Sequence, residues 1–316
     1  MDGSKDPVEP DHISKETPAE NTKLNPMLDK RSARPDIGTM NKLPLSKRVQ
    51  IVNLLVEGCS LRSITRIADV SINTVTKLLV DLGMVCAAYQ RETLVNLKCR
   101  RIQCDEIWSF VYAKQKNVPD EMKGMEGVGD VWTWTAIDAD TKLILSYLVG
   151  GRDAEYAKEF MEDVATRLSH KVQLTTDGHK AYLEAVADSF GCYIDYAMLI
   201  KQYGSAPEGE VRYSPAQCMG IKMVRISGHP DPAFVSTSYV ERQNLTMRMS
   251  MRRFTRLTNG FSKKVENHIH AISLNFMYYN FARVHKTLRV TPAMEAGIAD
   301  HPWAIAEIIG LLEVGE

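Results

Sequence analysis

The chain has 316 residues, 44% hydrophobic and 25% charged, values that suit one large or two moderate globular domains with a substantial core. Its formal net charge is zero, which excludes bulk charge as a reason to bind a polyanion. No apolar run reaches the roughly 18 residues of a membrane span, and none of the six cysteines forms a C-x2-C pair, which argues against a zinc site. No signal peptide is read ahead of them, so the expectation is reduced thiols in a cytoplasmic, nucleoid-associated protein without a membrane partner.

The charge is unevenly spread. Residues 41–104 carry ten Lys/Arg against four Asp/Glu, and residues 238–264 carry seven against one. Two basic segments in a neutral chain offer two places for a phosphate backbone, although either alone also fits a solvated helix face.

Residues 1–40, rich in Pro, Asp, Glu, Lys and Asn, read as a disordered tail. An all-helical region follows over 41–97. Ser46 is expected to cap a first helix striped with Val49, Val52 and Val56 and ended by Gly58. Ser60 caps a short second helix with Ile64, Ile67 and Ala68. A turn at Asp69-Val70 then leads to Ser71, the cap of a third helix that Gly83 should stop. Short helix, tight turn and a helix opening with small polar residues is the helix-turn-helix pattern. The third helix would present Ser71, Asn73, Thr74 and Lys77 to base edges in a major groove. A plain three-helix packing bundle is the blander reading.

From about residue 98 the period becomes that of a strand. "RRIQCDEIWSFVYA" alternates, with Ile102, Cys104, Glu106 and Trp108 on one face and Gln103, Asp105 and Ile107 on the other; Asp105 and Glu106 should therefore not share a site. "GDVWTWTAIDADTKLILSYLVGG" reads as two strands joined at Asp138–Thr141, with Asp138 and Asp140 as turn formers and Trp132 and Trp134 as core. An amphipathic helix over 153–168, a strand ending at Asp177, a helix start and a fifth strand in "CYIDYAMLIKQY" follow. Pro207, Pro215, Pro230 and Pro232 predict an irregular insertion over about 204–236. Helices at 238–258 and 262–284 and a small helical tail at 292–313 complete the chain. The expected fold is α/β: a mixed five-stranded sheet flanked by helices over 98–260, with helices of 261–316 packed on it.

Three acids stand out. Asp105 lies mid-strand among apolar neighbours, which is costly unless it is paired, metal-bound or on an exposed edge. Asp177 ends a strand just before "GH", where ligands collect in open α/β sheets, although Asp before Gly is also a common turn former. Glu241 sits in "TSYVERQNLTMRMSMRRF", the lone acid among arginines, and Ser238-x-x-Glu241 matches a capping box. Helical phase gathers Val240, Met247, Met251 and Phe254 on one face and Arg242, Arg253 and Arg256 on the other. Glu241, Arg248 and Arg252 fall on the border between them. Lys263 and Lys264 extend the basic stretch.

Carboxylates from three separate elements suit hard-cation chemistry. Mg2+ or Mn2+, two ions per site, can activate an attacking oxygen and steady a leaving one in phosphodiester displacement. His179 could bond a phosphate. His285 and Lys286 could touch DNA or support the site, against a histidine simply satisfied by backbone. His268 and His270, two apart on a helix, do not make a metal pair.

The order Asp105, Asp177 (72 residues later) and Glu241 (64 later), with Arg248 seven beyond, resembles the DDE transposase pattern on a ribonuclease H-like core. The words "CDEIWSFVYAKQKN", "GDVWTWTAIDADTKL", "TTDGHKAY", "STSYVERQNLTMRMSMRRFTRLTNGFSKK" and "NFARVHKTLRVTPAMEAG" closely resemble bacterial insertion-sequence-one type transposases, over roughly residues 40–312. The resemblance implies metal-dependent cutting and joining of double-stranded DNA at transposon ends. It implies that Asp105, Asp177 and Glu241 bind the metals and that Arg248 fills the family's basic position. Water would cleave a strand, and the 3′-hydroxyl so left would attack a target phosphodiester, in a protein at least dimeric on DNA. Some members of the wider family carry an N-terminal zinc finger; this chain has only the helix-turn-helix. Two alternatives stay open: a catalytically silent DNA-binding regulator, and a structure-specific nuclease that cuts without joining.

Overall fold

The computed structural model describes residues 42–204, 218–255 and 259–313. The tail read over 1–40, together with Pro207, Pro215 and Arg256, lies outside the described residues.

Three helices open the fold: α1 (Leu45–Val56), α2 (Leu61–Ala68) and α3 (Ile72–Thr93). The cap of α1 is not Ser46 but Pro44, whose carbonyl accepts from the amides of Lys47 and Arg48. Proline's fixed φ suits a helix start, and Ser46 is left inside the first turn. Gly58 ends α1 with φ +75, and a Cβ there would fall 2.3 Å from the carbonyl oxygen of Ser250. Ser60 and Ser71 cap α2 and α3 by accepting from the amides of Ser63 and Thr74, and Asp69 turns the chain between them at φ 49.

Gly83 does not stop α3, which runs ten residues past it to Thr93. Its lack of a side chain serves packing instead. A Cβ at 83 would meet the Cβ of His270 at 2.3 Å and its Cα at 2.6 Å. Glycine thus lets α3 press against α7 (Val265–Met277), backbone to backbone. Among the described residues α3 alone has the length and mean hydropathy of a membrane span, although no uncharged apolar run of that length occurs in it. Here, however, Val75, Leu79, Leu82 and Cys86 are buried in the protein core.

The sheet has six strands, β1 (Arg101–Val111), β2 (Gly129–Asp138), β3 (Ile144–Gly150), β4 (Gln173–Thr176), β5 (Asp195–Tyr203) and β6 (Cys218–Ser227), in the order β3-β2-β1-β4-β5-β6. β1, β2 and β3 form an antiparallel meander; β4 runs parallel to β1 and to β5. This meander followed by parallel strands is a ribonuclease H-like arrangement. The five-stranded expectation missed β6, which pairs antiparallel with β5 inside the stretch read as irregular. The prolines that prompted that reading all fall outside β6.

Helices α4 (Ala154–Thr166) and α5 (Ala181–Phe190) cover one face, where Trp134 packs on Phe160 and Tyr182. On the other lie α6 (Ser238–Ser250) and α7, tied down by Gln103 Oε1 accepting from the amides of Tyr239 and Val240 and by Tyr147 donating to Ser273 Oγ. α6 is shorter than expected: Met251 is extended at φ −123, and Arg252–Phe254 form a single 3-10 turn. α7 runs on through a π-helical turn, Tyr278–Ala282, whose Asn280 brackets Ile144 with two hydrogen bonds. Short helices α8 (Pro292–Glu295) and α9 (Ile305–Gly310) finish the described chain.

Candidate active site

The site follows from where β4 stops. β4 pairs with β1 for only four residues, the last pair being Cys104 and Thr176. The next residues are Asp105 and Asp177, so the two acids emerge side by side at the carboxyl end of the parallel pair. From there, among the described residues, β1 has no partner on its β4 side until Val111 bridges Ser262.

Strand alternation holds as read. Asp105 faces α6, where Asn244 Nδ2 donates to its Oδ2 at 2.9 Å; Glu106 faces the other side, where Arg152 Nε donates to its Oε2 at 3.0 Å. Separate faces do not mean separate sites, however, and that expectation is corrected. Asp105, Glu106 and Asp177 each offer an oxygen within 4.8 Å of the others. The open edge of β1 beyond Cys104 lets carboxylates from both faces approach Asp177.

The electrostatics are those of anions in want of a cation. Burial, and then the charge of Asp177, push both Asp105 and Glu106 up to about 7, with Glu241 adding to the effect on Asp105. Arg152 offsets part of this: besides Glu106 it reaches Asp177, with Nη2 3.8 Å from Oδ2. Three hard oxygen donors grouped this closely, two of them resisting ionisation, fit a divalent cation of the Mg2+ or Mn2+ type.

Glu241 is near this group but not one of the three. It stands in the first turn of α6, yet makes no capping box with Ser238; the cap position is Thr237, whose hydroxyl donates to Glu241 Oε1. Lys201 of β5 pairs with the same oxygen. Glu241 is therefore a half-buried acid held by a cation, on the helix that also carries Asn244 to Asp105.

His179 donates its backbone N–H to Asp177 Oδ1 at 2.9 Å while its ring lies against Trp134 and Tyr182. Burial, then Arg152, hold that ring below the usual histidine range, so it is a neutral wall of the site. His285 is likewise lowered, by burial and then Lys142; its amide donates to Val290 O, and Lys286 beside it is exposed. Neither belongs to the acidic group. His268 is fully buried between Ser109 and Ser262, and burial brings it down to about 3.

The basic residues divide. Arg242 and Arg252 are exposed, and Arg248 is half-buried on α6. Arg253 does not join Arg242 on an open face; past the end of the helix it turns inward to Ser262, and burial lowers it to about 10. Lys263 is exposed and lies over the Phe261 ring at 4.3 Å, with Lys264 exposed beside it. On the N-terminal helices, Ser71 and Asn73 are exposed, Thr74 is half-buried, and Lys77 is exposed and paired with Asp81 at 2.8 Å.

Arg152, Lys201 and Glu106 escaped the sequence reading. Glu106 was adjacent to a chosen acid, and only the strand lengths reveal that it converges. Arg152 follows "VGG" at the end of β3, a loop position beside a strand terminus that could have been weighed as Asp177 was.

No protein-family model matches this chain, and no curated protein does. Among solved structures it is similar to a Mos1 mariner paired end complex with Mn, at 9% identity over 77% of this chain and 79% of that one, with a TM-score of 0.28. It is similar to a Mos1 strand transfer complex at 11% identity over 76% and 82%, TM-score 0.22, and to a Mos1 transposase paired-end complex with left transposon end at 12% over 54% and 64%, TM-score 0.20. Likeness this distant assigns no activity, which has to be argued from the residues themselves.

Proposed function

We propose that this protein is a DDE-type DNA transposase that binds insertion-sequence ends and performs strand cleavage and strand transfer at one metal-dependent site. The observation that carries the reading is the meeting of Asp105 and Asp177 where the β1–β4 pairing ends, with Glu241 close by on α6. Asp105, Asp177 and Glu241 would hold Mg2+ or Mn2+, two ions per site. Bound there, such a cation lowers the barrier to in-line phosphodiester displacement by stabilising charge on the attacking and leaving oxygens.

The chain's own groups do the rest. Asn244 and the Glu106 amide fix the carboxylate of Asp105; the His179 amide fixes that of Asp177. Lys201 pairs with Glu241 and holds its carboxylate in place. His179 rests its ring on Trp134 beside the acids. Arg242, Arg248, Arg252, Lys263 and Lys264 would lie along DNA phosphates, and Ser71, Asn73, Thr74 and Lys77 would read the end sequence. The same site serves cleavage by water and then joining by the 3′-hydroxyl, since both are in-line transfers, and joining two ends in concert calls for at least a dimer on DNA.

The test is a binding selection on random duplex DNA, followed by cleavage and strand-transfer assays on the recovered ends with Mn2+. Cleavage and joining of those ends are expected. Binding without either makes the protein a regulator. Cleavage of branched or hybrid substrates regardless of end sequence, without joining, makes it a nuclease.

A further inference from the structure

We propose that Arg152 is a phosphate-binding residue of this centre, and that Glu106 with Trp132 positions it, instead of Glu106 serving as a metal ligand. The inference rests on the transposase reading for the DNA that brings the phosphate.

Arg152 is gripped at Nε, while its tip makes one long ion pair, with Asp177. Its Nε donates to Glu106 Oε2 at 3.0 Å, and its guanidinium carbon lies 4.7 Å from the centre of the Trp132 ring. The Glu106 side chain is 1% exposed while that of Arg152 is 36% exposed, so the pair runs from the interior outwards. A guanidinium has five N–H donors in a rigid planar fork. Glu106 takes one, and the indole fixes the plane. Nη2 is 3.8 Å from Asp177 Oδ2, beyond hydrogen-bond length, and among the described residues the Nη hydrogens donate no hydrogen bond.

A purely structural ion pair would bring the Nη donors onto the carboxylate as well, in the two-pronged geometry arginine favours. Here Nε alone meets Glu106 and Nη2 lies 3.8 Å from Asp177 Oδ2, so the Nη edge extends past Glu106 towards Asp177. That edge matches a phosphodiester arriving with a cation: Asp105 and Asp177 address the metal, and Arg152 addresses a non-bridging phosphate oxygen. Ligation through Glu106 Oε2 would deprive Nε of its partner; Oε1, buried without a hydrogen-bond partner among the described residues, is the oxygen whose ligation the Glu106→Gln variant tests.

The test uses the full chain and the variants Arg152→Ala, Arg152→Lys and Glu106→Gln, with Arg152→Lys as the milder change should alanine fail to fold. Mn2+ titration followed by paramagnetic resonance should show wild-type or tighter binding in all three; a tenfold weakening in Glu106→Gln makes Glu106 a ligand and overturns the inference. Binding of selected end DNA is then measured in Ca2+, without turnover. Either Arg152 variant should bind about tenfold more weakly, a loss within the range of one charge-assisted contact. The loss should vanish when the linkage at the cleavage position is a neutral methylphosphonate; an equal loss on both DNAs overturns the inference. In single-turnover cleavage with Mn2+, Arg152→Ala should be slowed about 100-fold and partly restored by millimolar guanidinium, which fits between Trp132 and Glu106. Adding Glu106→Gln should abolish that rescue. Full cleavage by Arg152→Ala overturns the inference while leaving the transposase reading intact. A wild type that never cleaves overturns the transposase reading, and the Ca2+ contrast still decides whether Arg152 holds a phosphate.

Discussion

Replacing Gly83 by alanine tests how the N-terminal helices are seated on the sheet domain. Alanine is favoured over glycine inside a helix by about 1 kcal/mol, so on propensity alone the change stabilises α3. Packing opposes it. The new Cβ would lie 2.3 Å from the Cβ of His270, 2.6 Å from its Cα and 2.8 Å from its carbonyl oxygen. None of these is the end of a flexible side chain, so the two helices must separate. Overpacking of this kind costs about 1–3 kcal/mol, and parting α3 from α7 also opens gaps along their interface. A net loss of about 1–2 kcal/mol lowers Tm by about 2–4 °C for a chain of this size. Thermal unfolding of Gly83→Ala and Gly310→Ala should separate the two effects, because a Cβ at helical Gly310 meets nothing within 4 Å. Gly310→Ala should leave Tm unchanged or raise it. A Tm for Gly83→Ala that rises alongside it refutes the close helix contact.

Two further outcomes follow from the charges. Asp105 and Glu106 are pushed up to about 7, so between about pH 4 and pH 7 the cation-free folded protein keeps protons that the unfolded chain releases. These two groups should therefore make stability fall as pH rises through that window, against the opposite contribution of His268, which burial holds at about 3. The Tm of wild type minus that of the Asp105→Asn, Glu106→Gln double variant, measured against pH in chelator, should fall from about pH 4 to pH 7. Mg2+ should reverse the fall for wild type alone, and a flat or rising difference contradicts it. On the DNA side, Lys263→Ala should weaken binding uniformly across sequences and reduce the salt slope by about 1. Asn73→Ala should cost about 1–3 kcal/mol on the preferred end alone, as measured by anisotropy titrations on preferred and scrambled duplexes.

Much of the fold was legible because its signals are local. Alternation in β1, the Asp138 turn and the serines before α2 and α3 each lie within a few residues of what they specify. What escaped depends on distant partners. A glycine that ends a helix and one that lets two helices touch are the same letter, and His270 decides the matter for Gly83. β6 was hidden by prolines flanking a segment that itself alternates, Met219, Ile221 and Met223. The candidate site divides in the same way. Asp105 and Asp177 could be chosen from strand position and spacing. Glu106 joins them because β4 ends one residue before Asp177, and Arg152 and Lys201 matter because of which acids they face across the fold.

The central claim is that these acids form one metal-dependent site for phosphodiester chemistry. It is tested most directly by comparing wild type and Asp177→Asn on the same selected end DNA, with binding and Mn2+-dependent strand transfer measured side by side. The account predicts equal end binding, with cleavage and joining by wild type and none by Asp177→Asn. Strand transfer undiminished in Asp177→Asn would contradict it.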